Sequence, residues 1–169
     1  MYVRNTSETS TGFSSSQNKY YNFKFTGYTY AGGNINSLLC KNPENAVITL
    51  FCFFKLFLYC DLLISAPLLP STTLQNTCYK SMFEACINMT IAPILPASIL
   101  SQYCYQNMFY ACFKVNKITI YATDISAYQS LNYWTYNISP TGDFYCPAEL
   151  TIPTGISGIP SGWTRHDIN

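Results

Sequence analysis

Apolar residues recur at every fourth position in three stretches of this chain. The sets are Ile48, Cys52, Leu56 and Cys60, then Leu74, Cys78, Met82 and Cys86, then Leu100, Cys104, Met108 and Cys112. Residues four apart share a helical face, so each set predicts an amphipathic helix with one apolar stripe. Ser71, Thr72 or Thr73 supplies a cap for the second helix and Ser98 for the third. Pro93 and Pro96 stop the second helix and extend the linker after it.

The stripes are parts of a longer repeat. Each cysteine pair encloses seven residues, and each begins 26 residues after the pair before it. CFFKLFLYC, CYKSMFEAC and CYQNMFYAC share an aromatic after the first cysteine, a Leu or Met four residues on, and then a Phe. Two units also end alike, in Ala66-Pro67-Leu68-Leu69-Pro70 and Ala92-Pro93-Ile94-Leu95-Pro96. A period of this length marks stacked supersecondary units. The third unit loses the Ala-Pro ending, as a capping repeat does.

Around the repeats the pattern changes. Residues 1–19 are rich in Ser, Thr and Asn and read as a flexible tail. Tyr20 to Tyr30 alternates aromatic and polar residues about Thr26-Gly27, the pattern of a short hairpin. Lys117 to Thr123 and Asn132 to Ile138 read as strands. From Ser139 onward Pro and Gly punctuate an extended loop docked through Trp163. The expected fold is therefore α+β, a central array of three Cys-bearing helices flanked by short aromatic β segments. A polar tail and hairpin occupy 1–44, the repeat 45–125, and a strand with a Gly/Pro-rich tail 126–169.

Helical geometry constrains the cysteines. Positions eight apart lie roughly 12 Å apart along a helix, whereas a disulfide needs Cα atoms within about 7 Å. Bonds must then join different helices. Antiparallel neighbours pair Cys78 with Cys112 and Cys86 with Cys104, leaving Cys52, Cys60, Cys40 and Cys146 to find partners. Each such bond contributes about 2–4 kcal/mol. In its cysteine pattern, the stretch from Cys78 to Cys112 is similar to the twin Cys-x9-Cys helical hairpins of the mitochondrial intermembrane space, with seven residues enclosed instead of nine. The alternative is reduced cysteines serving as small core hydrophobes. Metal sites favour ligands two to four apart, and none of these pairs has that spacing.

Composition bears on the surroundings. Charged residues are only 10% of the chain, against about 25% in an ordinary soluble domain. Aromatics reach 17%, so much of the surface is expected to be covered by a protein partner, another copy or lipid. The net charge of +1 comes from scattered residues with no basic run, which leaves nucleic-acid binding without an electrostatic footprint. Eight cysteines favour an oxidising compartment or a membrane over the cytosol. The stretch from Met1 to Lys41, however, offers no apolar signal region. Residues 46–69 are apolar enough to cross a bilayer except for Lys55 and Asp61, each of which costs about 2.5–3.5 kcal/mol near the centre of a span.

Candidate chemistry is sparse. His166 is the only histidine and lies in the tail, where a solvated side chain is expected. The carboxylates form no pair suited to acid–base work. Gly155-Ile156-Ser157-Gly158 lacks the Lys-Ser/Thr of a phosphate loop. Asn5, Asn88 and Asn137 begin glycosylation sequons. No catalytic, cofactor or metal residue is assigned. The functional expectation is a non-catalytic structural or protein-interaction module built on a disulfide-stapled helical repeat. The alternative is a single-pass accessory subunit of a membrane complex anchored by residues 46–69.

Overall fold

A computed structural model describes residues 16–169. The tail expected over 1–19 lies outside these residues up to position 15, as does the Asn5 sequon. The three expected helices are not formed. In their place the chain winds into stacked coils, each with a ribbon of consecutive tight turns on one side and short parallel strands on another. Turns fill residues 50–59, 76–85, 102–111 and 128–137, four ten-residue ribbons offset by 26. The fourth was not visible as a repeat, and it replaces the strand expected from Asn132 to Ile138.

Within a ribbon two hydrogen-bond patterns interleave. Cys52, Phe54, Leu56, Leu58 and Cys60 each donate their N–H to the carbonyl three residues back, closing successive turns. The alternate amides point along the stack: Phe53 donates to Cys78 at 2.8 Å, Lys55 to Lys80, Phe57 to Met82 and Tyr59 to Glu84. Every second turn places its third residue at positive φ, as type II turns do. Twelve non-glycine residues sit there at φ between 51° and 65°, including Phe51, Lys55 and Tyr59 in the first ribbon and Gln129, Tyr133 and Asn137 in the fourth. Each costs about 1 kcal/mol or more for a side chain with a Cβ.

This backbone repeats every four residues; in the third ribbon side chains follow it as two inward, two outward, whereas in the first two a third position is covered as well, by Phe54 and Leu58 and by Thr77 and Ser81. Cys104 and Tyr105 are buried, Gln106 and Asn107 are half-buried, Met108 and Phe109 are buried, and Tyr110 and Ala111 are half-buried. The stripe of Cys52, Leu56 and Cys60 does face one way, into the core. Its cause is the four-residue turn repeat and not an α-helix, which overshoots by about 40° every four residues.

Stacking sets like upon like. Phe57, Phe83 and Phe109 lie nearly parallel with centroids 5.4 and 6.0 Å apart, capped by Phe23 at one end and Trp134 at the other. Phe53, Tyr79 and Tyr105 form a second column at 5.6 and 6.1 Å. Aromatic pairs of this kind add about 0.5–1.5 kcal/mol beyond the area they bury.

The strand side carries β1 (Thr29–Tyr30), β2 (Leu63–Ser65), β3 (Ile94–Leu95), β4 (Lys117–Ile120), β5 (Gly142–Pro147) and β6 (Trp163–Ile168). All pair in parallel, β1 with β2 and the rest in the order β3-β4-β5-β6. The segment from Tyr20 to Tyr30 is thus not a hairpin, since β1 pairs with a strand one coil away. The Gly/Pro-rich tail contributes β5 and β6, and Trp163 does dock it, with Nε1 donating to the Ser139 carbonyl at 2.7 Å. Residues 46–69 form the first ribbon and β2. Among the described residues no helix is long and apolar enough to cross a membrane, which overturns the membrane-anchored alternative.

Candidate binding surface

All eight cysteines are buried, and no two sulfurs lie at disulfide distance. The expected pairs Cys78–Cys112 and Cys86–Cys104 fail for a topological reason. Coils stack in parallel at one register, so Cys78 falls in a column with Cys52 and Cys104, and Cys112 falls in a different column with Cys60 and Cys86. The disulfide-stapled helical module is therefore corrected to a solenoid-like stack whose cysteines are core side chains. In the second column each thiol donates to a carbonyl of the preceding coil: Cys60 to Phe23, Cys86 to Phe57 at 3.0 Å, and Cys112 to Phe83 at 3.1 Å.

Burial pushes these thiols up, Cys60 to about 11 and Cys104 to about 12. Burial holds Cys78, Cys86 and Cys112 well above the ordinary thiol range too, with neighbouring cysteines adding to burial for Cys78 and Cys86. Thiolates, the nucleophilic and metal-binding form, are scarce at neutral pH in such surroundings. Among the described residues no group of three or more His, Cys, Asp and Glu is placed to hold a metal ion.

His166 keeps a part-exposed side chain but sits on β6 and not in a loop. Its Nε2 lies 2.7 Å from Asp143 Oδ1, its ring stacks on Tyr145 at 4.6 Å, and Lys117 Nζ sits 4.7 Å from the Tyr145 centroid. The register pairs Tyr145 with His166 and Lys117 with Asp143, which builds the cluster across β4, β5 and β6. The histidine's partner is thus a carboxylate on the neighbouring strand and not the hydroxyl or thiol of a nucleophile. Cys146, on the same strand, is buried. A shallow cleft of about 350 Å³ lies between residues 90–94 and Asn116, Lys117 and Thr119. Pro93, which has no N–H to donate, stands where the two coils part.

The outer face of the last two ribbons has a different chemistry. Residues 101–112 and 127–138 contain no Asp, Glu, Lys or Arg, whereas the first two ribbons carry Lys55, Lys80 and Glu84. Tyrosines and carboxamides take the outward places. Tyr110 stacks on Tyr136 at 4.9 Å, Tyr133 meets Tyr136 edge-on at 6.1 Å, and Tyr103 meets Tyr128 edge-on at 5.5 Å. Gln106 Nε2 donates to Gln129 Oε1 at 3.1 Å, and Gln129 Nε2 donates to the Tyr128 hydroxyl at 3.1 Å. Lys80 of the second ribbon reaches the edge of this face, its Nζ 5.6 Å from the Tyr103 centroid.

The C-terminal loop braces this face from below. Tyr133 N–H donates to Ser157 Oγ, Trp134 Nε1 to the Gly158 carbonyl, and the Thr135 N–H and hydroxyl to the Ile156 carbonyl. Gly158 makes that loop possible, because an added Cβ would overlap the Pro153 carbonyl. A cavity of about 150 Å³ opens between ribbon and loop, lined by Thr135, Asn137, Ser139 and Ser161 with Pro140 and Pro160. Its signal in the sequence was the missing charge over 127–138, masked by the expectation of a strand there. Comparison with protein-family models, curated proteins and solved structures finds nothing that matches this chain.

Proposed function

We propose that this protein is a non-catalytic binding scaffold that meets its partner through the tyrosine–carboxamide face of its last two ribbons. The supporting observation is the charge-free run over both ribbons, beside the exposed rings of Tyr128 and Tyr133. Rigid tyrosines give contact area at low entropic cost, and Asn and Gln supply adaptable hydrogen bonds, the combination used by antibody paratopes. The turn backbone holds these side chains on one set of bonds within the ribbon and one between coils, so little ordering remains for the moment of binding.

Tyrosine footprinting tests this reading. Brief iodination followed by peptide mass spectrometry compares the purified chain with the same chain in an extract of its own cells. Tyr128 and Tyr133 lose labelling in the extract, while Tyr59, exposed on the first ribbon, keeps it. Equal labelling of all three in both samples defeats the proposal.

A second reading is favoured by a separate observation. Leu68 and Ile94 occupy the same place in successive repeats and are both exposed, with Ile91 also exposed nearby on the strand side. An apolar column of this kind supports contact with a protein or with a second copy of the chain. Sedimentation velocity of the Leu68→Ser/Ile94→Ser double variant checks it. The parent is expected to sediment as the larger species, and identical profiles remove the idea.

A further inference from the structure

Resting on that reading of the face, we propose that its ligand is a neutral oligosaccharide, with one sugar ring seated in the cavity beside Asn137 and the next lying against Tyr133. Charge is the first reason. Neither ribbon carries a cation of its own, and Lys80 of the second ribbon reaches only Tyr103, so a phosphate- or sulfate-bearing polymer or an anionic lipid surface would find one lysine at the edge and none beside Tyr133 and Asn137 within the two ribbons. With no anion on either ribbon, a basic peptide finds no counter-charge there. A neutral polyol matches an uncharged face, because neither side strands a charge on contact.

Chemistry is the second reason. A pyranose presents C–H faces that stack on aromatic rings and hydroxyls that both donate and accept. Carboxamide and hydroxyl side chains also do both; the cavity offers Asn137 and Ser161 for this beside an apolar wall of Ile138, Ile156, Pro140 and Pro160 on which a C–H face can lie, while the Thr135 and Ser139 hydroxyls already donate to the Ile156 and Thr141 carbonyls. Asn137 stands exposed at the rim, held at φ 54° by the turn repeat, next along the ribbon from Tyr133 and Tyr136.

Size is the third. At about 150 Å³ the cavity has room for roughly five waters, and it is smaller than the roughly 300 Å³ of pockets that enclose drug-sized ligands. One ring enters and the remainder of the chain lies along the tyrosines.

The test is calorimetric titration of the full chain with cellohexaose, chitohexaose, maltohexaose, xylohexaose and mannohexaose, with dextran sulfate as the charged control. At least one neutral hexaose binds saturably, and its affinity is unchanged between about 50 and 500 mM salt, since screening acts only on charges. Tyr133→Ala and Asn137→Asp each weaken binding more than tenfold with unchanged thermal unfolding. Tyr133→Phe retains it, because the ring face is kept, and Lys117→Ala on the strand side has no effect. The proposal is overturned if no neutral hexaose saturates, if only dextran sulfate binds, or if the Tyr133→Ala and Asn137→Asp chains bind like the parent. Protection of Tyr128 and Tyr133 in extract without any hexaose binding would keep the face as a binding surface and assign it to a protein. Loss of that protection would remove the face itself.

Discussion

The two sides of each coil keep register differently. On the ribbon side the step between coils is the same from first to last: Phe53 donates to Cys78, Tyr79 to Cys104 and Tyr105 to Ser130. On the strand side it varies, with Thr29 opposite Leu63, Ile94 opposite Thr119, Lys117 opposite Asp143 and Gly142 opposite Trp163. The ribbon side is the ruler of the stack, because its inward aromatic columns leave no slack for an added residue. The strand side absorbs length changes at its corners, and there Pro93 and the 350 Å³ cleft are tolerated.

The largest expected effect tests which side carries the stability. Phe83→Ala removes the middle ring of a three-ring column and is expected to cost about 3–5 kcal/mol in urea unfolding. Ile94→Ala, at an exposed strand-side position, is expected to cost within about 0.5 kcal/mol. Equal losses would break the comparison. Next, Gly142→Ala presses a Cβ onto the Asn116 carbonyl and the Trp163 ring, and overpacking of this kind costs about 1–3 kcal/mol. A loss beyond that range would show the strand side to be as unyielding as the ribbons.

The pH dependence sharpens the picture of the thiol columns. Folding holds Cys60 and Cys104 protonated, at about 11 and about 12 against an ordinary 9.0. The unfolded chain therefore loses these protons first as pH rises. Stability is level below about pH 9 and falls from there up to the folded values, by about 1.4 kcal/mol per pH unit for each fully buried thiol. Thermal unfolding at pH 8 and pH 10 measures the slope, and Cys104→Ala should lessen it. A flat profile between those values would mean that the columns are reached by solvent. The smallest effect belongs to the turn backbone. Ala85→Gly and Ala111→Gly place glycine at φ 59° and 56°, where the relief of left-handed strain exceeds the added freedom of the unfolded chain. A gain of roughly 0.5 kcal/mol is expected, and a loss would show that the stack has already relaxed the strain.

Part of this was legible before folding. The 26-residue period, the four-residue spacing, the inward stripe through Cys52, Leu56 and Cys60 and the strand from Lys117 onward are all read from residue order. The fourth ribbon was hidden because Ser130 and Ile138 stand where Cys104 and Cys112 stand one period earlier, so the cysteine signal was gone while the four-residue spacing persisted. The tyrosine–carboxamide face was equally hidden. Its tyrosines come together across coils, Tyr110 on Tyr136 and Tyr103 on Tyr128, and only the register between coils makes them neighbours.

Residue order by itself determined the period, the composition of each column and the absence of charge from the last two ribbons. Tertiary structure alone decided between a helix and a turn ribbon. In a lone segment the helix wins, because it pairs its interior amides internally. The ribbon leaves alternate amides, those of Phe53, Lys55, Phe57 and Tyr59, without an acceptor until the next coil arrives. Those donors, together with the left-handed residues between them, are stabilised only by the stack, so no local propensity in the sequence could reveal them.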